Sequence, residues 1–309
     1  MKLLFFDDFK LGVLKGNDTV VDVSAVVSDI PHTEPHDIIK GVIEQWATVK
    51  PRLEAAVASG TGVPLSSVRI RPPLPRPSNI LCMAVNYMEN GTRSEPAEID
   101  IFAKSPDAII GNGDTMILPD VPASIFEGEA EMALVIGKRA LNVPAARAQE
   151  YIFGYINFID GSARGLKPGS YFQMKSRDTF APIGPFLVTA DEIPDAQNLP
   201  VKLWVNGVLK QDFNTNDMAH KIPRCVEFAT SHHALEPGDF IPTGTNHRGL
   251  NAFQDGDVVE LETQGLGKLT IHVKDDLKRT WGRETRLQMQ EKGINGATPQ
   301  LTGKYAPTS

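Results

Sequence analysis

The 309-residue chain has only two cysteines, Cys82 and Cys225, and no CxxC pair. Both sit in apolar or mixed surroundings. They read as reduced core residues rather than a disulfide or a metal pair, as is usual in the cytosol. Basic residues are in deficit, 31 against 38 acidic, for a net charge of −7. That argues against nucleic acid as the main partner, because phosphate neutralisation needs a basic stripe. No apolar run approaches the ~20 residues that cross a bilayer. At the N-terminus, Asp7 and Asp8 interrupt Leu3-Leu-Phe-Phe6 before a core of signal length develops. The expectation is a cytoplasmic protein without a membrane partner. Nucleotide fingerprints are missing as well: Gly265-Leu-Gly267 lacks the third glycine and a following helix.

What is present is strand-like and unevenly distributed. Lys2–Phe6 and Thr19–Val23 suggest short strands, and Ile38, Ile39, Val42, Ile43, Trp46 and Val49 fall at helical spacing. Pro51 is expected to end that helix and open a second one through Ala58. Four prolines between positions 72 and 77 predict an extended linker. The division follows as an N-terminal α+β domain over 1–71, a Pro-rich linker over 72–79, a larger strand-rich domain over 80–281 and a tail over 282–309. Residues 292–309 are expected to be loose or packed on the surface. In the larger domain, runs such as Ile80–Val85, Glu131–Ile136, Tyr155–Ile159, Val201–Val205 and Val258–Glu262 alternate with Gly, Pro, Asn and Asp clusters. Lys221–Ser231 is one of few helical segments. Without repeated βα alternation, the fold class predicted is α+β, strand-rich, a mixed β-sandwich or roll with a smaller N-terminal domain.

One strand is not written for burial alone. In Phe126-Glu-Gly-Glu-Ala-Glu-Met-Ala-Leu-Val-Ile-Gly-Lys138, strand alternation puts Glu127, Glu129 and Glu131 on one face. Three like charges repel unless a cation neutralises them or their pKa values rise. Asp160 ends a later apolar run, Tyr155–Ile159, where a strand meets a turn. Glu129, Glu131 and Asp160 are hard oxygen donors, with no histidine or cysteine at ligand spacing, a composition suited to Mg²⁺, Mn²⁺ or Ca²⁺. Lys175 and Arg164 are candidate positive groups for an anionic substrate. Ordinary surface charge is the alternative reading of these acids.

Glu129-Ala-Glu131-Met-Ala-Leu-Val-Ile-Gly-Lys138 and Phe153-Gly-Tyr-Ile-Asn-Phe-Ile-Asp160-Gly-Ser-Ala-Arg164 resemble the fumarylacetoacetate hydrolase family. So do Lys175–Pro185, Val205–Gln211, Leu235–Asp239 and Thr243-Gly-Thr245, in order, from Pro77 to about Lys278. The resemblance implies a mixed β-roll catalytic domain, usually dimeric, and a Mg²⁺ or Mn²⁺ site of Glu129, Glu131 and Asp160, with Glu127 outside it. It implies a small 2-oxo or 1,3-diketo acid as substrate, processed through a metal-stabilised enolate by C–C hydrolysis or by isomerisation. Lys175 matches a substrate-contacting lysine, and Tyr87, Arg164, Gln211 and Thr245 fall in substrate-binding segments.

The sequence departs from the family at one point. Where the pattern Asn-Tyr-x-x-His-x-x-Glu is usual, this chain reads Asn86-Tyr87-Met-Glu-Asn90-Gly-Thr-Arg93. Asn90 replaces histidine and Arg93 replaces glutamate, and asparagine cannot take a proton near neutrality. Glu89 or Glu95 on the same loop, or His247 in Thr245-Asn-His-Arg-Gly249, are alternative bases. Chemistry needing no histidine-activated water is a further possibility, as are a dehydratase or lyase on a 2-keto-3-deoxy sugar acid and a catalytically silent binding homologue. Arg93 would suit an extra substrate carboxylate. His232-His233 and the tryptophans read as structural, and Lys104 and Lys138 as structural or surface groups.

Overall fold

Two long antiparallel strands, Ile125–Ile136 and Ile152–Arg164, form the spine of the computed structural model, which describes residues 1–294 and 296–307. Every residue of the first is buried, and only Arg164 of the second is not. Burial of that extent needs cover on both faces. Ala181–Thr189 pairs with the second strand and Phe240–Pro242 with the first, followed by Ile80–Ala84 and Asp100–Lys104. The N-terminal strands Lys2–Phe6, Lys10–Lys15 and Thr19–Asp22 extend this sheet, because Lys2–Phe6 pairs with Ala181–Thr189. The result is a 12-stranded sheet, mixed because Phe240–Pro242 runs parallel to Ile80–Ala84. A five-stranded sheet contains Pro200–Val205, Val208–Asn214, Val258–Thr263, Lys268–Lys274 and Thr115–Ile117. The strand-rich α+β class with mixed sheets is therefore as the sequence predicts.

Strand alternation separates two cores. Ala130, Met132, Leu134 and Ile136 pack with Val201, Leu203, Leu261 and Ile271 of the smaller sheet. Ala133 and Val135 face the other way, with Ile156 and Phe158, toward the helices Pro35–Glu44 and Trp46–Ser59. The glutamates continue this second face. Pro51 lies inside the second helix, and the break falls at Gln45 instead. Pro51 forfeits one backbone bond, yet Val49 and Leu53, one turn apart and both fully buried, anchor the helix across it. The tail contains a further helix, Arg286–Glu291, capped by Thr285, and a strand, Gln300–Thr302, paired with Thr280–Trp281.

Candidate active site

Sheet register brings the acids together. Glu129 lies directly opposite Asp160, and Glu131 is one inward-facing position further along. One oxygen from each of Glu129, Glu131 and Asp160 lies within 4.8 Å of the others, and all three residues are buried. Behind them, Gly128 and Gly161 form the adjacent cross-strand pair, facing away. A Cβ at Gly128 would stand 2.3 Å from the Phe253 ring, and one at Gly161 2.9 Å from Phe180. Glycine lets these aromatic side chains press directly on the strands that carry the acids.

Three buried carboxylates require compensating charge. Lys175, at the end of the short helix Tyr171–Lys175, bonds Glu129 at 2.8 Å and also bonds Asp160. Arg164 bonds Glu129 and, at 3.1 Å, Glu127. Lys104 bonds Asp160 and donates to the Gly161 carbonyl at 3.2 Å. Burial alone would push the Glu129 carboxyl up, but Lys175 and Arg164 hold it well below the usual carboxylate range. Burial likewise opposes the charge on Lys175 and Arg164, and the surrounding carboxylates outweigh it, raising both. Glu131 differs. Burial, reinforced by Asp160 and Glu129, drives its pKa well above normal. Among the described residues no lysine or arginine reaches it, and its Oε2 accepts the Gly244 amide at 2.7 Å. An all-oxygen cluster containing one acid without a cation of its own fits a hard divalent ion.

The loop after Phe240–Pro242 closes over the acids. Gly244 adopts φ +87°, and a Cβ there would meet Asn86 at 3.0 Å. Thr243 and Thr245 donate their hydroxyls to the Met132 and Ala130 carbonyls, each at 2.7 Å. Gln211 bonds Thr245 Oγ1 at 2.9 Å and the Asn246 carbonyl at 2.8 Å, while its oxygen accepts the Ala130 amide. Expected at the substrate, Gln211 instead holds the loop that carries Thr245. Tyr87 is displaced in the same sense: it is fully buried, edge-on to Phe213 at 5.0 Å, and lines neither cavity described below.

Two of the candidate bases meet. His247 Nδ1 lies 2.6 Å from Glu89 Oε1, and the His247 amide donates to Glu89 Oε2 at 2.9 Å. A carboxylate only accepts, so Nδ1 is the donor in this contact and Nε2 is the ring nitrogen left free of Glu89. Glu89 holds φ +55°, an uncommon conformation for a glutamate, to make this contact. Asn90 and Glu95 are exposed and line neither cavity.

An inner chamber of about 50 Å³ is lined by Glu129, Lys175, Arg164, Thr245 and His247, with Tyr171 stacked on Phe102 at its wall. An outer cavity of about 370 Å³ adjoins it and shares Val85 and His247. Arg93, expected at the substrate, lines the outer cavity with Glu89, Arg248 and Arg286. A larger cavity, about 740 Å³, lies along Pro64–Ile70 and Asn112–Asp114 and contains none of these groups. Arg248 and Arg286 were not singled out from sequence, and Lys104 was read there only as a structural or surface group. Lys104 alone has a local signal, because it shares a strand face with the buried Phe102.

Comparison with known proteins agrees with this architecture. Residues 79–274 match the family model for the fumarylacetoacetate (FAA) hydrolase C-terminal domain. The maleylpyruvate hydrolase of Aquipseudomonas alcaligenes is 32% identical over 290 residues, covering 89% of this chain and 99% of that protein. A mitochondrial oxaloacetate tautomerase of Bos taurus is 33% identical over 272 residues, 83% of this chain and 85% of that one. The crystal structure of maleylpyruvate hydrolase from Sphingobium sp. SYK-6, in complex with manganese(II) and pyruvate, superimposes with a TM-score of 0.81 at 32% identity, covering 89% of this chain and 99% of that one. With a family match over most of its length and relatives that are hydrolases and tautomerases across nearly all of it, the chain is an enzyme of the fumarylacetoacetate hydrolase family.

Proposed function

We propose that the enzyme hydrolyses a C–C bond in a small 2-oxo acid of the acylpyruvate type, using a divalent cation, Mg²⁺ or Mn²⁺, held by Glu129, Glu131 and Asp160. The observation that carries this reading is the Glu89–His247 pair, whose imidazole lines the inner chamber with Glu129 and Lys175 while Glu89 lines the outer cavity. It supplies, from two other chain positions, the acid–imidazole couple that Asn90 and Arg93 remove from the usual place. Manganese and pyruvate in the related hydrolase support the cation and the 2-oxo acid head.

Bound there, the cation supplies a Lewis acid for the carboxylate and keto oxygens of the substrate. The charges agree with such a ligand. Glu129, Glu131 and Asp160 are balanced by Lys104, Lys175 and Arg164, so a dication leaves two positive charges, enough for a substrate carboxylate and one developing negative oxygen. Lys175 places an ammonium beside that oxygen. His247 Nε2 takes a proton from water as the water oxygen bonds to the acyl carbonyl carbon. Glu89 steadies the imidazolium. The C–C bond then breaks, its electron pair moves to C3 of the 2-oxo acid fragment, and the His247 proton is returned there. The products are a carboxylic acid and pyruvate. Two buried thiols, Cys82 and Cys225, suit a cytoplasmic enzyme of this kind.

The test follows the ultraviolet band of acylpyruvates with purified protein and Mg²⁺ or Mn²⁺. Loss of the band is expected, and Glu89→Gln and His247→Asn each slow it by about 10²–10⁴-fold. No loss at high enzyme concentration would sink the hydrolytic reading. Deuterium exchange at C3 without loss of the band would assign tautomerisation instead.

A further inference from the structure

Glu127 shares a strand face with Glu129 and Glu131 yet stands outside the cluster they form with Asp160, and the chemistry above gives it no part. Its side chain is fully buried. A buried carboxylate is tolerable only when it is paired, and Glu127 is paired twice. Arg286, the first residue of the tail helix Arg286–Glu291, takes both oxygens, with Nε 3.1 Å from Oε1 and Nη2 on Oε2. Arg164 reaches the same acid with Nε alone, 3.1 Å from Oε2.

The Nε and Nη2 groups of a guanidinium form a fork that one carboxylate accepts as two parallel bonds. In Arg286 the fork closes on a single acid. In Arg164 it is split, with Nε on Glu127 and Nη2 on Glu129 Oε1, an oxygen that Lys175 also contacts at 2.8 Å. Arg164 can serve Glu129 because Arg286 already fills Glu127. Among the described residues Glu129 Oε2 has no hydrogen-bond or ion-pair partner, so it is the oxygen left for a cation. The helix that carries Arg286 has six residues, and Met289 is its buried apolar anchor. A helix that short depends on its tertiary contacts.

Resting on the reading of Glu129, Glu131 and Asp160 as a divalent-cation site, we infer that Arg286 and Glu127 are positioning residues that set how far Arg164 holds Glu129, so that docking of the tail helix and cation binding oppose each other. A dication beside Glu129 repels the Arg164 guanidinium toward Glu127, where it competes with Arg286 for the oxygens. Release of Arg286 acts in the reverse sense. Glu127 then draws both nitrogens of Arg164 and leaves Glu129 to the cation. The two effects are one coupling free energy, equal in both directions.

Calorimetry with Mn²⁺ on the full chain tests the coupling. Arg286→Met is expected to bind Mn²⁺ at least ten-fold more tightly than the parent, and the gain should shrink below three-fold in an Arg164→Met background. A gain undiminished without Arg164 would reveal a plain charge effect and overturn the relay, as would equal or weaker binding in folded Arg286→Met. Hydrogen exchange read by mass spectrometry follows the reverse direction and needs no variant. The segment containing the Met289 and Lys292 amides, bonded to the Thr285 and Gln288 carbonyls at 3.0 and 3.3 Å, should exchange at least three-fold faster in saturating Mn²⁺ than in EDTA. Unchanged or slower exchange with Mn²⁺ bound overturns the coupling and leaves the cation site standing. If the parent binds no Mn²⁺, the cation site and the coupling fall together.

Discussion

Lys104 and Lys175 occupy the two oxygens of Asp160, and Arg164 shares Glu129 with Lys175. These cations make the acid cluster tolerable to the fold before any metal is present. The consequence can be measured without substrate. Lys104→Met keeps the volume and removes the charge, leaving Asp160 with one cation instead of two. Removing one partner of a buried ion pair costs about 3–5 kcal/mol. Urea unfolding in EDTA should show a loss of that size. Mg²⁺ at about 100 times its dissociation constant should add back about 2.7 kcal/mol, because it binds the folded chain alone. Equal stability of parent and variant in EDTA would show that Lys104 does not balance the cluster. This residue also shows what the sequence could and could not disclose. The glutamates were legible because three acids at strand period are hard to explain as surface. A single lysine in Asp100-Ile-Phe-Ala-Lys104 is ordinary, and only pairing with Ile80–Ala84 turns it inward. Glu89 and His247 were each visible as candidates. Their contact was not, since it closes a separation of 158 residues.

Among the elements, the helix Pro35–Glu44 depends on a buried histidine. His36 is only 6% exposed, and its Nδ1 accepts the Arg76 amide at 3.3 Å, so the ring is neutral and joins the helix to the proline-rich segment. Burial holds its pKa down to about 4, against the ordinary histidine value near 6.5. The sign of the effect is fixed by linkage. The unfolded chain takes the proton first, so the stabilisation is complete above about pH 6.5 and is lost as the pH falls toward 4. The difference in pKa corresponds to roughly 3 kcal/mol. His36→Gln, neutral at every pH, should flatten the fall in stability between pH 7 and pH 4.5, read as the urea midpoint at each. An unchanged slope would assign the acid sensitivity to other groups. The composition of 72–77 predicts an extended linker, and at this scale that reading is incomplete. Pro72, Pro73, Leu74 and Pro77 are buried: Pro72 lies against Gly111, Pro73 beside Gly184, and the Arg76 amide bonds His36 of the helix. Burial of this kind depends on partners distant in the chain, and proline content alone does not report it.

In the whole molecule, the regions on either side of that segment share a sheet and a core. Lys2–Phe6 pairs with Ala181–Thr189. Leu3, Phe5, Leu11, Val42 and Leu53 pack in one cluster with Ala133, Val135, Ile156, Phe158 and Leu187. Ala133 and Val135 continue the strand face that carries Glu129 and Glu131, so the N-terminal region supports the wall on which the acids stand. Each large apolar side chain in that cluster contributes roughly 1.5–3 kcal/mol by leaving water. Removing residues 1–71 would expose the opposing surface and leave Ala181–Thr189 as an open sheet edge, a template for aggregation. The two regions should therefore unfold together. Calorimetric heating of the full chain is expected to give one transition, with its van't Hoff and calorimetric enthalpies equal. A saturating divalent cation should raise that transition as a whole, since the acids and the N-terminal core belong to one cooperative unit. Two resolved transitions, with only the upper one moved by the cation, would show that the N-terminal region folds apart from the site and that the shared core does not couple them.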